Sequence, residues 1–212
     1  MTVRKVVTRR SNHYRGYFPS LKNKKSVPWE SQLEGAFFRL LELSPAVISY
    51  VPQPSEERVP SAQSYFKYYP DVQVFLADGR EWWVEVKPYD RLKIARVRDR
   101  LEAAERHFIS TDRNFSVVTD KLIEEEPLAS NLLRLMSHRR GPMLLNEKLE
   151  EVLSVLNDQA PQTFSDLLVA VGDRPAWRLL GLGVVGIELN KPFDIDSPIF
   201  LQGGHRHANL FP

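Results

Sequence analysis

The 212-residue sequence predicts an α/β fold: a mixed β-sheet flanked by helices, followed by a small winged-helix-like C-terminal domain. Three observations carry that prediction. Apolar residues recur at helical spacing over 92–108; β-branched and aromatic runs flank an Asp78-Gly79 turn; and three short helical patterns after Pro142 lead into two short strand patterns.

The elements follow in order. Residues 1–28 form a basic arm, and over 1–29 the chain has eight Lys or Arg and no acid. With Tyr14, Tyr17 and Phe18 interleaved, this arm suits a phosphate backbone, where cations displace counterions and rings stack. Lys22, Lys24 and Lys25 are its DNA-binding candidates. Trp29 to Leu43 repeats Leu33, Phe37, Leu40 and Leu41 at helical spacing, and Ser44-Pro45 stops it. Val47 to Val51 is a strand closed by Pro52 and Pro54. Tyr65 to Leu76 and Glu81 to Lys87 pair as a hairpin.

Pro88 ends that hairpin, and a helix over 92–108 repeats Ile94, Val97, Leu101, Ala104 and Phe108 at steps of 3, 4, 3 and 4. Its other face is basic, with Arg96 and Arg100 able to meet DNA or solvent. Phe115 to Thr119 is a strand expected to run parallel to its neighbour, because a helix precedes it. Pro127 to Arg139 is helical, and 137–142 reads as a joint. The domains are thus the arm 1–28, a core 29–140 and a C-terminal domain 141–212. Helices at 144–156, 163–171 and 174–182 and strands at 184–189 and 199–202 give the last its winged-helix layout. His205-Arg206-His207 reads either as a disordered tail or as a metal-binding strand, and Trp177 as a core residue or a DNA contact.

Composition narrows the function. Hydrophobic residues make up 42% and charged residues 26%, as in a soluble globular protein. The absence of cysteine excludes disulfides, thiol nucleophiles and cysteine-based zinc sites. The longest nearly apolar run, 179–187, contains three glycines and is too short to span a bilayer. A soluble, cytoplasmic protein without membrane partners is expected.

The chemistry lies in the central hairpin. Alternate strand residues share a face, so Glu85 and Lys87 point one way while Val84 and Val86 point the other. Asp71, Gln73 and Phe75 likewise oppose Val72, Val74 and Leu76. If both apolar faces meet one helix layer, Asp71 lies across from Glu85. That pairing needs an index sum of 156, whereas a two-residue Asp78-Gly79 loop gives 157 and turns Asp71 to the wrong face. A three-residue loop, Ala77-Asp78-Gly79, with Gly79 left-handed, is therefore expected.

Two opposed carboxylates repel unless a cation lies between them. Mg²⁺ takes oxygen ligands and keeps waters, and Mn²⁺ should substitute. Lys87 can orient or deprotonate the attacking water if its pKa is depressed, or it can neutralise the phosphorane. This is the PD-(D/E)xK nuclease pattern. Glu30 and Glu34 share a helix face, and either could add a third ligand, with Glu34 at the margin of the buried stripe. Gln53 could hydrogen-bond near the metal or a phosphate.

Taken together, Trp29-Glu30-Ser31-Gln32-Leu33-Glu34-Gly35-Ala36-Phe37-Phe38, Gln53-Pro54, Tyr69-Pro70-Asp71 and Val84-Glu85-Val86-Lys87-Pro88 resemble the TnsA family. Phe18-Pro19-Ser20-Leu21-Lys22 extends the likeness, which covers roughly residues 15–110. Members are endonuclease subunits of heteromeric transposases with a restriction-endonuclease-like core. The resemblance implies catalytic positions at Glu34, Asp71, Glu85 and Lys87, and metal-binding positions at Glu34, Asp71, Glu85 and Val86. It implies cutting of transposon 5′ ends in double-stranded DNA beside an integrase-like transposase of the TnsB type. It also implies contact of the C-terminal part with an ATPase regulator of the TnsC type. Some members carry Gln where this chain has Glu85. A free-standing nuclease of restriction, repair or phage head-maturation type, and a non-catalytic DNA-binding assembly protein, remain alternatives on the residues alone.

Overall fold

A four-stranded sheet, in the spatial order β3 (Val47–Pro52), β6 (Val72–Leu76), β7 (Glu81–Lys87) and β8 (Asn114–Thr119), organises the first of two compact units. The computed structural model describes residues 14–61, 64–139, 146–207 and 210–211. The first unit comprises residues up to 42, 46–125 and Phe211; the second comprises Leu43–Pro45 and Glu126–Leu210. Residues 1–13 of the basic arm, with Arg4, Lys5, Arg9 and Arg10, lie outside the described residues.

The chain enters through a hairpin, β1 (Gly16–Ser20) and β2 (Lys25–Trp29), where the sequence predicts only an arm. Val27 and Phe18 are buried, so Phe18 packs in the core instead of waiting for a base. Helix α1 (Gln32–Leu43) begins three residues later than expected because Trp29 still belongs to β2. The carboxylate of Glu42 on α1 fastens the hairpin. It accepts from Ser20 Oγ at 2.8 Å, from the Leu21 and Lys22 amides at 2.7 and 3.1 Å, and from Tyr50 Oη at 2.8 Å. A buried carboxylate so fully bonded is tolerated where a bare one would not be.

Strand β3 (Val47–Pro52) pairs antiparallel with β6 (Val72–Leu76). Between them β4 (Glu57–Pro60) and β5 (Tyr65–Tyr68) form a separate two-stranded sheet. The sequence reads 65–76 as one strand, but Pro70 cannot donate to a ladder and splits it, so Tyr69-Pro70-Asp71 becomes a corner between two sheets. β7 (Glu81–Lys87) pairs antiparallel with β6 and parallel with β8 (Asn114–Thr119), so the sheet is mixed, as predicted. The short α2 (Tyr89–Leu92) and long α3 (Ala95–Ser110) make the crossover, and α4 (Asp120–Ile123) follows β8.

Leu101, Ala104 and Phe108 on α3 pack with Val59, Tyr68 and Phe115. Phe108 lies parallel to Phe115 at 5.1 Å and meets Tyr68 edge-on at 6.4 Å. Burying such a ring contributes about 2–3 kcal/mol. The β4–β5 hairpin is also pinned by polar contacts. Glu57 receives Arg113 through two bonds of 2.8 and 3.0 Å, and His107 Nε2 lies at 3.1 Å. Arg113 holds the Glu57 carboxyl at about 2, below its usual value, despite partial burial.

The second unit consists of α5 (Leu128–Ser137), α6 (Asn146–Gln159), α7 (Phe164–Val171), α8 (Asp173–Leu182) and an irregular C-terminal stretch. α5, which the sequence reading groups with the core, packs within this unit: Asn131 Nδ2 donates to the carbonyls of Leu189 and Lys191 at 2.9 and 2.8 Å. Part of the joint expected at 137–142 lies outside the described residues. The two expected strands reduce to one antiparallel bridge, Gly186 with Phe200. Trp177 packs edge-on against Phe164 at 4.7 Å and stacks on His138 at 4.5 Å. His205 sits in an ordered position, and among the described residues it joins no metal-binding group. It is buried, accepts from the Ile187 amide on Nδ1 and donates from Nε2 to the Leu180 carbonyl, and burial lowers it to about 4. Among the described residues no helix is long and apolar enough to cross a membrane.

Candidate active site

The β6–β7 register decides whether the predicted residues can meet. Val72 pairs with Val84, Gln73 with Trp83 and Phe75 with Glu81, the register that sets Asp71 against Glu85. The loop is Ala77-Asp78-Gly79, closed by the Leu76 amide on the Arg80 carbonyl at 2.9 Å, and Gly79 has φ +87°. The odd-numbered, left-handed turn required by strand parity is present.

Asp71 sits at the corner before β6. The Gln53 amide donates to its carbonyl at 2.9 Å, and its carboxylate Oδ2 accepts from the Val86 amide at 2.8 Å. The side chain thus continues the ladder beyond its last backbone pair. Glu85 is 5% exposed; its Oε2 accepts from Tyr68 Oη at 2.6 Å, and its Oε1 lies 2.6 Å from Lys87 Nζ. Lys87 Nζ is also 3.6 Å from Asp71 Oδ2. The cation that two facing carboxylates demand is here the protein's own ammonium.

Electrostatics follow from that packing. Burial and then the Glu85 charge push Asp71 well above the usual range, with Lys87 opposing. Burial alone would lower Lys87, but Asp71 and Glu85 outweigh it and raise the ammonium above its ordinary value. With no ion between them, the two carboxylates thus favour the charged form of Lys87.

Glu34 has a different employment. It is 8% exposed, and its Oε2 accepts from the Glu30 amide at 2.9 Å and its Oε1 from Ser31 Oγ at 3.0 Å. It caps its own helix, and burial raises it most while Lys87 pulls it down. Ser31-Gln32-Leu33-Glu34 is the S-x-x-E signature of a capped helix start, a signal present in the sequence. Glu30, its rival, pairs with Arg15 at 3.2 Å and accepts from Gln53 Nε2 at 2.8 Å. Among the described residues no three acidic or histidine side chains come close enough to hold a metal ion as they stand.

A cavity of about 490 Å³ opens over these groups, lined among others by Gln53, Asp71, Glu85, Lys87, Arg96 and Arg100. Gln53 is buried at φ +43°, and its Oε1 has no hydrogen-bond partner. Arg96 is exposed, while Arg100 donates to the Lys67 carbonyl and lies 4.2 Å over the Phe66 ring. Lys24 and Lys25 are exposed on the β1–β2 hairpin, and Lys22 Nζ donates to the Val47 carbonyl. None of the three lysines lines the cavity. Tyr68 and Tyr69 do, and sequence reasoning missed both because they read as ordinary strand residues.

A mixed sheet flanked by helices, whose central hairpin brings an aspartate against a Glu-x-Lys, fits a restriction-endonuclease-like core. Residues 44–120 match the family model of the TnsA-like endonuclease N-terminal domain. The matched stretch holds Gln53, Asp71, Glu85, Val86, Lys87, Arg96 and Arg100, and it begins after Glu34. The family is one of nucleases. No curated protein matches the chain.

Proposed function

We propose that the protein is a Mg²⁺-dependent endodeoxyribonuclease cutting the 5′ ends of a transposon within a heteromeric transposition complex. The observation that carries this is the convergence of Asp71, Glu85 and Lys87 on one cavity inside the TnsA-like segment. The residues fit a hard divalent ion. Two carboxylates face each other with their repulsion incompletely relieved, and oxygen donors of this kind suit Mg²⁺ or Mn²⁺.

Asp71, Glu85 and the Val86 carbonyl would hold the ion. A strand residue sends its N–H and C=O to the same edge, and the Val86 N–H faces Asp71. Glu34 would join only by releasing the amide or hydroxyl it now caps. When bound, Mg²⁺ supplies Lewis acidity and a more acidic water. Lys87 keeps its proton and offsets the charge that develops on the phosphorane. Arg96 and Arg100, with Lys22, Lys24 and Lys25 farther off, bind backbone phosphates of double-stranded DNA, and Gln53 offers its free amide oxygen to a donor at the site. The partners are an integrase-like transposase of the TnsB type and an ATPase regulator of the TnsC type, the latter through the winged-helix-like C-terminal domain.

The test is 5′-end cleavage of transposon-end DNA by the full complex with Mg²⁺. Asp71→Ala is expected to reduce it by about 10³-fold or more. Unchanged cleavage would leave the assembly-protein reading in its place, and efficient cutting by the isolated wild type would favour a free-standing nuclease.

A further inference from the structure

The two carboxylates of the site are each tied down on one oxygen by a neutral donor. Glu85 Oε2 accepts from Tyr68 Oη at 2.6 Å, and Asp71 Oδ2 accepts from the Val86 amide at 2.8 Å. On Glu85 this leaves Oε1, which faces Lys87 Nζ. On Asp71 it leaves Oδ1, which takes no hydrogen bond among the described residues. The backbone fixes the Asp71 tie, whereas a single side chain supplies the Glu85 tie.

We infer that Tyr68 is a specificity-determining residue that restricts Glu85 to one metal-facing oxygen, and so selects Mg²⁺ or Mn²⁺ over Ca²⁺. This rests on the metal-site reading above. The chemistry is that of coordination number. Mg²⁺ demands near-octahedral geometry, keeps several waters and needs one oxygen per carboxylate, while Ca²⁺ takes six to eight oxygens and readily engages a carboxylate through both. A hydroxyl held on Oε2 fixes the rotation of the carboxylate and takes one of that oxygen's lone pairs, which disfavours bidentate binding.

Tyr68 is placed for this role and is not free to leave it. It is 3% exposed, and its ring is held edge-on by Phe108 at 6.4 Å and Phe115 at 6.2 Å. The β5 strand that carries it pairs with β4, and Glu57 binds β4 to Arg113. Tyr68 is therefore a positioning residue that acts through Glu85. In Tyr68→Phe the ring and its packing remain while the hydroxyl is lost, which frees Oε2 to rotate toward the ion.

The experiment is Mn²⁺ binding to the full chain, by electron paramagnetic resonance of free Mn²⁺, with Ca²⁺ as competitor. Wild type should prefer Mn²⁺, and Tyr68→Phe should narrow the Mn²⁺/Ca²⁺ affinity ratio by about tenfold, a size ordinary for groups that orient metal ligands. An unchanged ratio in a folded variant, with Mn²⁺ still bound and still lost in Asp71→Ala, overturns the inference alone. Absence of any Mn²⁺ binding sensitive to Asp71→Ala overturns the metal-site reading as well. Tyr68→Leu, if folded, should show the same narrowing; a narrowing confined to Leu would mark a packing effect and refute the hydroxyl's role.

Discussion

Replacing Lys87 with methionine tests the electrostatic core of the site, because the stem is kept and only the ammonium goes. In the folded protein Lys87 Nζ lies 2.6 Å from Glu85 and 3.6 Å from Asp71, and among the described residues no second cation forms a salt bridge with either. Removing one partner of a buried ion pair costs about 3–5 kcal/mol, since a charge is left uncompensated. The Lys87 side chain is 34% exposed, so solvent screens part of that cost, and about 2 kcal/mol is expected at neutral pH. At about 2–4 °C per kcal/mol this is a fall in Tm of about 4–8 °C.

The loss has a pH signature. Asp71 is held above its ordinary 3.8 in the folded state, so the folded protein binds this proton before the unfolded chain does. Between those two values the folded state carries the extra proton, and this term gains stability as pH falls. Without Lys87 the term grows, so the gap between variant and wild type should shrink on acidification from neutral pH toward 4. Thermal melts of both proteins at pH 7.5 and pH 5, with and without Mn²⁺, make the measurement. Mn²⁺ should recover part of the loss at pH 7.5. A variant as stable as wild type, or a loss indifferent to both pH and Mn²⁺, would refute the electrostatic reasoning.

Two further expectations concern the scaffold. Glu57→Gln should cost about 2 kcal/mol at pH 7 by urea unfolding, since it strips the charge from a carboxylate bonded to Arg113 and His107. Glu57 is lowered to about 2, so its contribution is present above the ordinary 4.5 and lost as pH falls through 2, and the variant and wild-type midpoints should converge there. Gly79→Ala meets nothing within 4 Å but must adopt φ +87°, so it should cost about 1 kcal/mol from backbone strain alone, with Mn²⁺ affinity unchanged.

The sequence disclosed the site through parity. Strand alternation and a hydrophobic face were enough to demand an odd loop and a left-handed Gly79, because a one-residue slip would have turned every β6 side chain over. β7 and the parallel partner β8 were likewise readable from apolar runs and the helix between them. What could not be read depended on contacts between segments far apart in sequence. Tyr68 and Glu85 are 17 residues apart, and only the turn of the chain at Pro70 brings the β5 hydroxyl to β7. The break itself was hidden because Tyr65 to Leu76 is apolar and aromatic on both sides of Pro70. Helix spacing placed Glu34 toward the site, but spacing could not show that the local Ser31 and Glu30 donors bond its oxygens.

The β4–β5 hairpin now looks less like an appendage than like the arm that aims Glu85. Its open end, where Glu57 pairs with Tyr68, is fixed to α3 through His107 and to the connection before β8 through Arg113, and it carries the Tyr68 hydroxyl to Oε2. Two residues further toward the turn, Val59 pairs with Phe66, and both pack in the same cluster as Phe108 and Phe115. Loosening the Glu57 side chain without touching Tyr68 leaves the Glu57–Tyr68 backbone pairing and that apolar packing to hold the aim. Removing only the hydroxyl leaves the packing and Glu57 intact. Stability and ion selectivity should therefore separate: the first follows Glu57, and the second follows the hydroxyl of Tyr68.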